Sequence, residues 1–322
     1  MNSIRDCLAT VVSSQRRKRA KTSLPLTLRL CGFARKTSSA LLVLLCVSLT
    51  AFASQANAPV EKEVAIFGQK IHYVEAGSGP SVILLHGLGS SSQAWQMNIA
   101  PLAEKFHVFI PDQIGFGKSA KPLVNYRIRT YVDFLDQFCK QLQITRATLV
   151  GASMGGWIAA SFTAAFPDRV DKLVLVDAAG YAPPKTFDPQ SLFGLNPTTR
   201  EGMKALVAKV FYSKLFQTDA AIDAAIAARL AAGDGYTINS ITESVIRGED
   251  FIDANVKTIK RPTLIIWGRE DGLTPLTDGE RFNKDIAGSK LVVFEQCGHA
   301  PNFEKVAEFN AALTKFLTES AQ

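Results

Sequence analysis

The sequence predicts an α/β domain built on a mostly parallel sheet and interrupted by one helical insertion. Three observations carry this. From residue 60 onward, short continuous apolar runs alternate with segments of helical period, the pattern of strands buried on both faces and covered by crossover helices. The alternation stops between 181 and 256, where no buried-strand run occurs. It then resumes with two apolar runs and a closing amphipathic helix.

Residues 1–58 read as a leader. They hold nine Lys and Arg against one acid, Asp6, a net +8, so that residues 59–322 carry −1 of the chain's +7. The folded body therefore has no basic excess to attract nucleic acid. After Lys36 comes the uncharged run ALLVLLCVSLTAFA (40–53), followed by small-residue sites at AFA (51–53) and ANA (56–58). Basic, apolar, then small is the order of a secretory signal. The run is short against the roughly 20 residues of a spanning helix. Export is expected, periplasmic or secreted, with membrane association through this segment if it is not cleaved. Cys7, Cys31 and Cys46 lie in the leader, leaving Cys139 and Cys297 without metal-site spacing.

VAIFGQKIHYVEAG (64–77) reads as a hairpin turning near Gly68. SVILLHG (81–87) and HVFIPD (107–112) read as buried strands. YVDFLDQFCKQLQI (131–144) has helical period, with Cys139 on the apolar face beside Val132, Leu135 and Leu142. ATLVG (147–151) is a strand, and WIAASFTAAF continues as a helix stopped by Pro167. VDKLVLVDAAG (170–180), RPTLIIWG (261–268) and KLVVFEQCG (290–298) are further strands, and VAEFNAALTKFL (306–317) the last helix. Within 181–256, PPKTFDPQSLFGLNP reads as loop, while REGMKALVAKVFY and DAAIDAAIAARLAAG read as helices. The expected division is a core of 59–180 and 257–322 with a helical cap of 181–256 over the C-terminal edge of the sheet.

The chemistry concentrates at VGASMGGW (150–157), where Ser153 stands between Gly151 and Gly155. A serine that ends a strand and opens a helix is the context of a nucleophile elbow. The helix N-terminus behind it favours negative charge in a transition state. Such a serine needs a base, and the chain has four histidines. His299, in CGHAPNFE after the last apolar strand, falls at the same sheet edge as Ser153. His72 and His107 lie within strands and read as structural; His86 reads as a turn or rim residue. The base needs an orienting carboxylate. Asp271, in WGREDGLTP, is the candidate, with Glu270 beside it read as solvated. Asp177, ending LVLVD, is the second choice; its other role would be hydrogen bonding at the strand end. An oxyanion needs donors, and the backbone N–H groups of Leu88, in HGLGSS, and Met154 are the expected pair. PDQIGFGKS (111–119) lacks phosphate-loop spacing and reads as a rim turn with a structural Asp112.

HGLGSSSQAW, PDQIGFGKS, VGASMGGW, LVLVDAAG, IIWGREDGLTP and CGHAPNFE together resemble the α/β-hydrolase superfamily, over about residues 60 to 318. The resemblance implies an eight-stranded sheet, a triad of Ser153, Asp271 and His299, oxyanion donors at Leu88 and Met154, no metal and no organic cofactor. Haloalkane dehalogenases and epoxide hydrolases carry Asp where Ser153 stands, which argues against both. The SMGG elbow and the stretch from IKRPTLIIWG to CGH are similar to meta-cleavage-product hydrolases, which break C–C bonds. Those carry a Ser-Gly-Pro-type oxyanion loop and a Trp after the catalytic His; Leu88-Gly89-Ser90 and Ala300 stand here. The expected activity is therefore hydrolysis of a carboxylic ester of a small to medium substrate, with C–C, amide or peptide hydrolysis as alternatives on the same triad. Phe187, Leu192, Phe193, Phe211, Tyr212 and Phe216 in the insertion fit either an apolar substrate group or packing of the cap itself.

Overall fold

The structure, a computed structural model, describes residues 57–319. The leader lies outside them except for its last two residues. Among the described residues no helix is long and apolar enough to cross a membrane.

Eight strands form one sheet in the order β1-β2-β4-β3-β5-β6-β7-β8. β1 (Val60–Ile66) and β2 (Gln69–Ala76) are an antiparallel hairpin, and β2 pairs antiparallel with β4 (His107–Pro111). The hairpin turns at Phe67 and Gly68, both at positive φ (50° and 74°), the conformation that matches strand twist in two-residue loops. β3 (Ser81–Leu85), β4, β5 (Ala147–Ala152), β6 (Val170–Val176), β7 (Thr263–Gly268) and β8 (Lys290–Phe294) run parallel. The sheet is mostly parallel and eight-stranded, as expected.

Alternate residues of each central strand face opposite layers, since side chains alternate along a strand. Ile83, Leu85, Leu149, Leu173, Leu175 and Ile265 join one apolar cluster with α2 (Ile128–Gln141), α3 (Met154–Ala165) and Phe282 of a later helix. Val82, Leu84, Val150, Val174, Val176 and Ile266 join the other, with α1 (Gln96–Ala103) and residues 309–317 of the last helix. Each fully buried aliphatic side chain contributes about 1.5–3 kcal/mol. This two-sided burial is why the strands read as unbroken apolar runs.

Between β6 and β7 the chain forms α4 (Arg200–Val210), α5 (Asp219–Ala232) and α6 (Gly235–Ile246), and no strand. The hydroxyls of Thr199 and Thr218 cap α4 and α5 by accepting the N–H groups of Gly202 and Ala221. Gly233, at φ 65°, ends α5 in the left-handed conformation. Met203, Val207 and Ile222 pack α4 on α5, while Ile238 and Ile241 of α6 enter the main core. After β7 come α7 (Leu276–Asp285), α8 (Pro301–Glu304) and α9 (Val306–Thr318). The strands stop earlier than their apolar runs suggest, β6 at Val176 and β8 at Phe294. The residues just beyond turn away as loops at the C-terminal edge, where open parallel sheets bind ligands.

Candidate active site

The β5–α3 turn sets Ser153 at φ 55° and ψ −120°, an uncommon conformation for a non-glycine residue. Its neighbours make the turn possible. A Cβ on Gly155 would lie 2.2 Å from the carbonyl oxygen of Leu85, and one on Gly151 would lie 2.1 Å from that of Gly155. The backbone of Ser153 is held on both sides: its N–H donates to the Val176 carbonyl (2.9 Å), and its carbonyl accepts from Gly156 and Ala179 (2.9 and 3.1 Å). Gly155→Ala is expected to destabilise by about 1–3 kcal/mol, as overpacking against fixed backbone does, measured by urea unfolding. The turn cannot relax without moving Ser153.

The β3 loop passes directly over the serine. A Cβ on Gly87 would lie 3.1 Å from the Ser153 Cβ and 3.6 Å from its Oγ. Leu88 follows, and Ser90 N–H closes the turn on the Gly87 carbonyl (3.3 Å). Met154 opens α3, so its N–H has no intrahelical acceptor. His86, expected as a turn or rim residue, is instead fully buried. Its Nδ1 donates to the Gly87 carbonyl (2.9 Å) and its Nε2 accepts the Gln113 N–H (3.0 Å). Burial holds this imidazole below its ordinary pKa, so a neutral ring braces the loop from behind.

Asp271 and His299 meet across the β7 and β8 loops. His299 Nδ1 donates to Asp271 Oδ2 at 2.7 Å; the Asp271 side chain is fully buried and that of His299 nearly so. This leaves Nε2 as the acceptor nitrogen. Asp271 Oδ1 accepts the N–H groups of Leu273 and Thr274 (2.7 and 3.0 Å), and Oδ2 also accepts the Thr274 hydroxyl (2.7 Å). Burial alone would raise the Asp271 pKa; the His299 ring and these donors outweigh it and hold the carboxyl below its ordinary value. Among the described residues, no hydrogen bond joins Ser153 Oγ to His299. Asp177 is buried just behind, with Oδ1 accepting the Gly268 N–H (2.8 Å).

The helical insertion grips these loops. The Val210 carbonyl accepts the His299 N–H (2.7 Å), and that of Lys209 accepts the Gly272 N–H (3.1 Å). Glu304 Oε2 accepts the N–H groups of Gly298 and Tyr212 (2.7 and 3.2 Å), while its Oε1 accepts that of Ser213 (2.7 Å). Glu270, read as solvated, is exposed but accepts the Cys297 N–H (2.9 Å), tying the β7 and β8 loops together. Arg229 of α5 donates to the Gly89 carbonyl (3.1 Å) and to Asp234 (2.8 Å). Thr274, Glu304 and Arg229 were not marked by any local pattern. Asp112, as expected, is structural: it accepts from Ser92 N–H (2.6 Å) and Lys118 N–H (2.8 Å) and pairs with His72 Nδ1 (2.9 Å). Phe211 and Phe216 pack against each other and against Phe303 of the core in tilted ring contacts, whereas Phe193 and Tyr212 are exposed.

The family described by the alpha/beta hydrolase fold matches residues 80–306. The chain belongs to the α/β-hydrolase family. This hydrolase is 33% identical over 264 residues to a 2-hydroxy-6-oxononadienedioate/2-hydroxy-6-oxononatrienedioate hydrolase of Escherichia coli, covering 77% of this chain and 91% of that one. Its structure is similar to that of an esterase from Exiguobacterium antarcticum, at 25% identity and TM-score 0.72 over 81% of this chain and all of that one. It is also similar to a bacterial membrane phospholipase A, at 27% identity and TM-score 0.73 over 87% of this chain and 92% of that one.

Proposed function

We propose that this hydrolase cleaves a carboxylic ester of a small to medium, apolar substrate through an acyl-enzyme on Ser153. His299 Nε2 takes the Oγ proton as Oγ attacks the ester carbonyl. Asp271 holds the ring in the tautomer that leaves Nε2 free and stabilises the imidazolium that forms. The N–H groups of Leu88 and Met154 receive the oxyanion. The proton on Nε2 then passes to the departing alcohol. Water, deprotonated by His299, attacks the acyl-enzyme and releases the acid, returning Oγ its proton.

The observation that carries this reading is the shared sheet edge. Ser153 is forced to positive φ against Gly87, and a buried, hydrogen-bonded Asp271–His299 pair sits on the β7 and β8 loops of the same edge. Ester hydrolysis asks for no group beyond these. Likeness to an esterase and a phospholipase A supports the ester reading. The second reading, C–C hydrolysis of a meta-cleavage product, is supported by the 33% identity to the Escherichia coli enzyme. It is weakened by Leu88-Gly89-Ser90 and Ala300, which stand where such enzymes carry Ser-Gly-Pro and Trp. Amide and peptide bonds are further alternatives on the same triad. We assign residues 181–256 the part of a cap that selects the substrate. The basic-apolar-small leader supports export, or membrane association if it is retained.

The test is turnover of p-nitrophenyl esters of graded acyl length beside a 2-hydroxy-6-oxo-dienoate, together with fluorophosphonate labelling. Ester turnover with labelling is expected, and the chain-length optimum sizes the acyl pocket. Labelling with dienoate turnover alone would replace the ester reading by C–C hydrolysis. Absence of labelling in the folded protein would remove the serine mechanism.

A further inference from the structure

A second buried carboxylate stands behind His299. Asp177 follows the last residue of β6 and adopts φ 43°, again uncommon for a non-glycine residue. Its side chain is wholly buried. Oδ1 accepts the Gly268 N–H at 2.8 Å, while Oδ2 has no hydrogen-bond partner. The Thr274 hydroxyl, which donates to Asp271 Oδ2 (2.7 Å), also lies 3.1 Å from the Asp177 carbonyl oxygen and 3.2 Å from His299 Nδ1. One side-chain ligand atom each of Asp177, Asp271 and His299 fall within 4.8 Å of one another.

Two carboxylates this close in a buried site repel each other, which favours a proton on one of them. Asp271 accepts two N–H groups, a hydroxyl and the His299 ring, and so keeps the charge. Asp177 accepts a single N–H on its side chain. Burial first, then the Asp271 charge, push the Asp177 carboxyl well above its usual range. The titratable groups facing it are Asp271, His299, Cys297 and Glu304.

We propose that Asp177 is a positioning residue behind Asp271, and that it becomes the partner of His299 Nδ1 when Asp271 is removed. This rests on the triad reading above. It leads to an ordering that simple side-chain similarity would reverse: Asp271→Ala should be milder than the isosteric Asp271→Asn. In Asp271→Asn, the amide oxygen must face the N–H groups of Leu273 and Thr274. The amide NH2 is then turned toward His299 Nδ1. It donates there, shifts the ring proton to Nε2 and disables the base, a wrong-tautomer loss of about 10⁴-fold. In Asp271→Ala the competing charge is gone. The vacated space also admits water, which relieves the burial that raises Asp177 most; Asp177 then ionises and holds Nδ1–H, directly or through that water.

The experiment measures kcat/KM on p-nitrophenyl butyrate for the full chain. Asp271→Ala is expected to be about a hundredfold more active than Asp271→Asn, and Asp271→Ala/Asp177→Asn to fall back to the Asp271→Asn level. A pH profile supplies a readout that lost packing would not move. Activity of Asp271→Ala should rise with pH through ionisation of Asp177, a step that the double variant should lack. The comparison of Asp271→Ala with Asp271→Asn leaves Asp177 untouched, so it stands even if the double variant fails to fold. Asp271→Ala no more active than Asp271→Asn, or indifferent to the added Asp177→Asn, would overturn the proposal. A folded wild type that neither turns over esters nor labels with fluorophosphonate would overturn the triad reading itself, and this proposal with it.

Discussion

Ser153→Ala is expected to lower kcat/KM on p-nitrophenyl esters by about 10⁶-fold, as loss of the serine does in other triads, and to abolish fluorophosphonate labelling. The fold should be unaffected. The elbow is built from the Ser153 backbone, whose N–H and carbonyl hold Val176, Gly156 and Ala179, and from close approaches at Gly151 and Gly155. The hydroxyl makes no hydrogen bond among the described residues. Alanine keeps the Cβ and meets the same φ of 55°. The melting curve should therefore match wild type to within about 0.5 kcal/mol. A variant that melts normally yet still turns over ester would place the nucleophile elsewhere.

The central strands were legible because both their faces are buried; all six residues of TLIIWG in β7 are inside. Three of the longer helices were not. α1 carries Pro101 in its interior, and α7, LTDGERFNKD, buries only Gly279 and Phe282, too little for an apolar stripe. α6, GYTINSITESVI, mixes β-branched residues with Ser and Asn, all weak helix formers, and is held by tertiary packing of Ile238 and Ile241. At the site, Ser153, Asp271 and His299 could be marked because each follows its own strand within a short motif. His86 lies in a turn, as one of its two readings had it, but not at the rim, for the converse reason. Its position at a strand end suggested a rim, but the β4 loop folds over it and Gln113 caps its ring. Asp177 is legible as the second-choice acid because it ends the LVLVD run, whereas the role of Thr274 depends on which loops meet in space, and nothing local encodes that.

Arg229 is the extreme case, since it acts on Gly89 from 140 residues away. Its guanidinium bridges the β3 loop and Asp234, with side-chain exposures of 10% and 2% for the ion pair. Gly89, at φ 66°, leaves room for it: a Cβ there would lie 2.5 Å from an Arg229 terminal nitrogen. Arg229→Met strands the Asp234 carboxylate and is expected to cost about 3–5 kcal/mol in urea unfolding, the loss seen when one partner of a buried pair is removed. Arg229→Met/Asp234→Asn removes the charge as well as its partner, and most of that stability should return. Activity should not return with it. Both variants lack the hydrogen bond to the Gly89 carbonyl, so the Leu88 N–H, proposed above to receive the oxyanion, is less firmly held. Complete removal of such a donor costs about 10²–10³-fold in kcat; loosening it should lower kcat about tenfold in both variants with little change in KM. Recovery of stability and kcat together in the double variant would mean that Arg229 serves the fold alone. Recovery of stability without kcat would make the insertion part of the catalytic apparatus, because a helix of that segment would then be aiming a core backbone N–H at the reacting carbonyl.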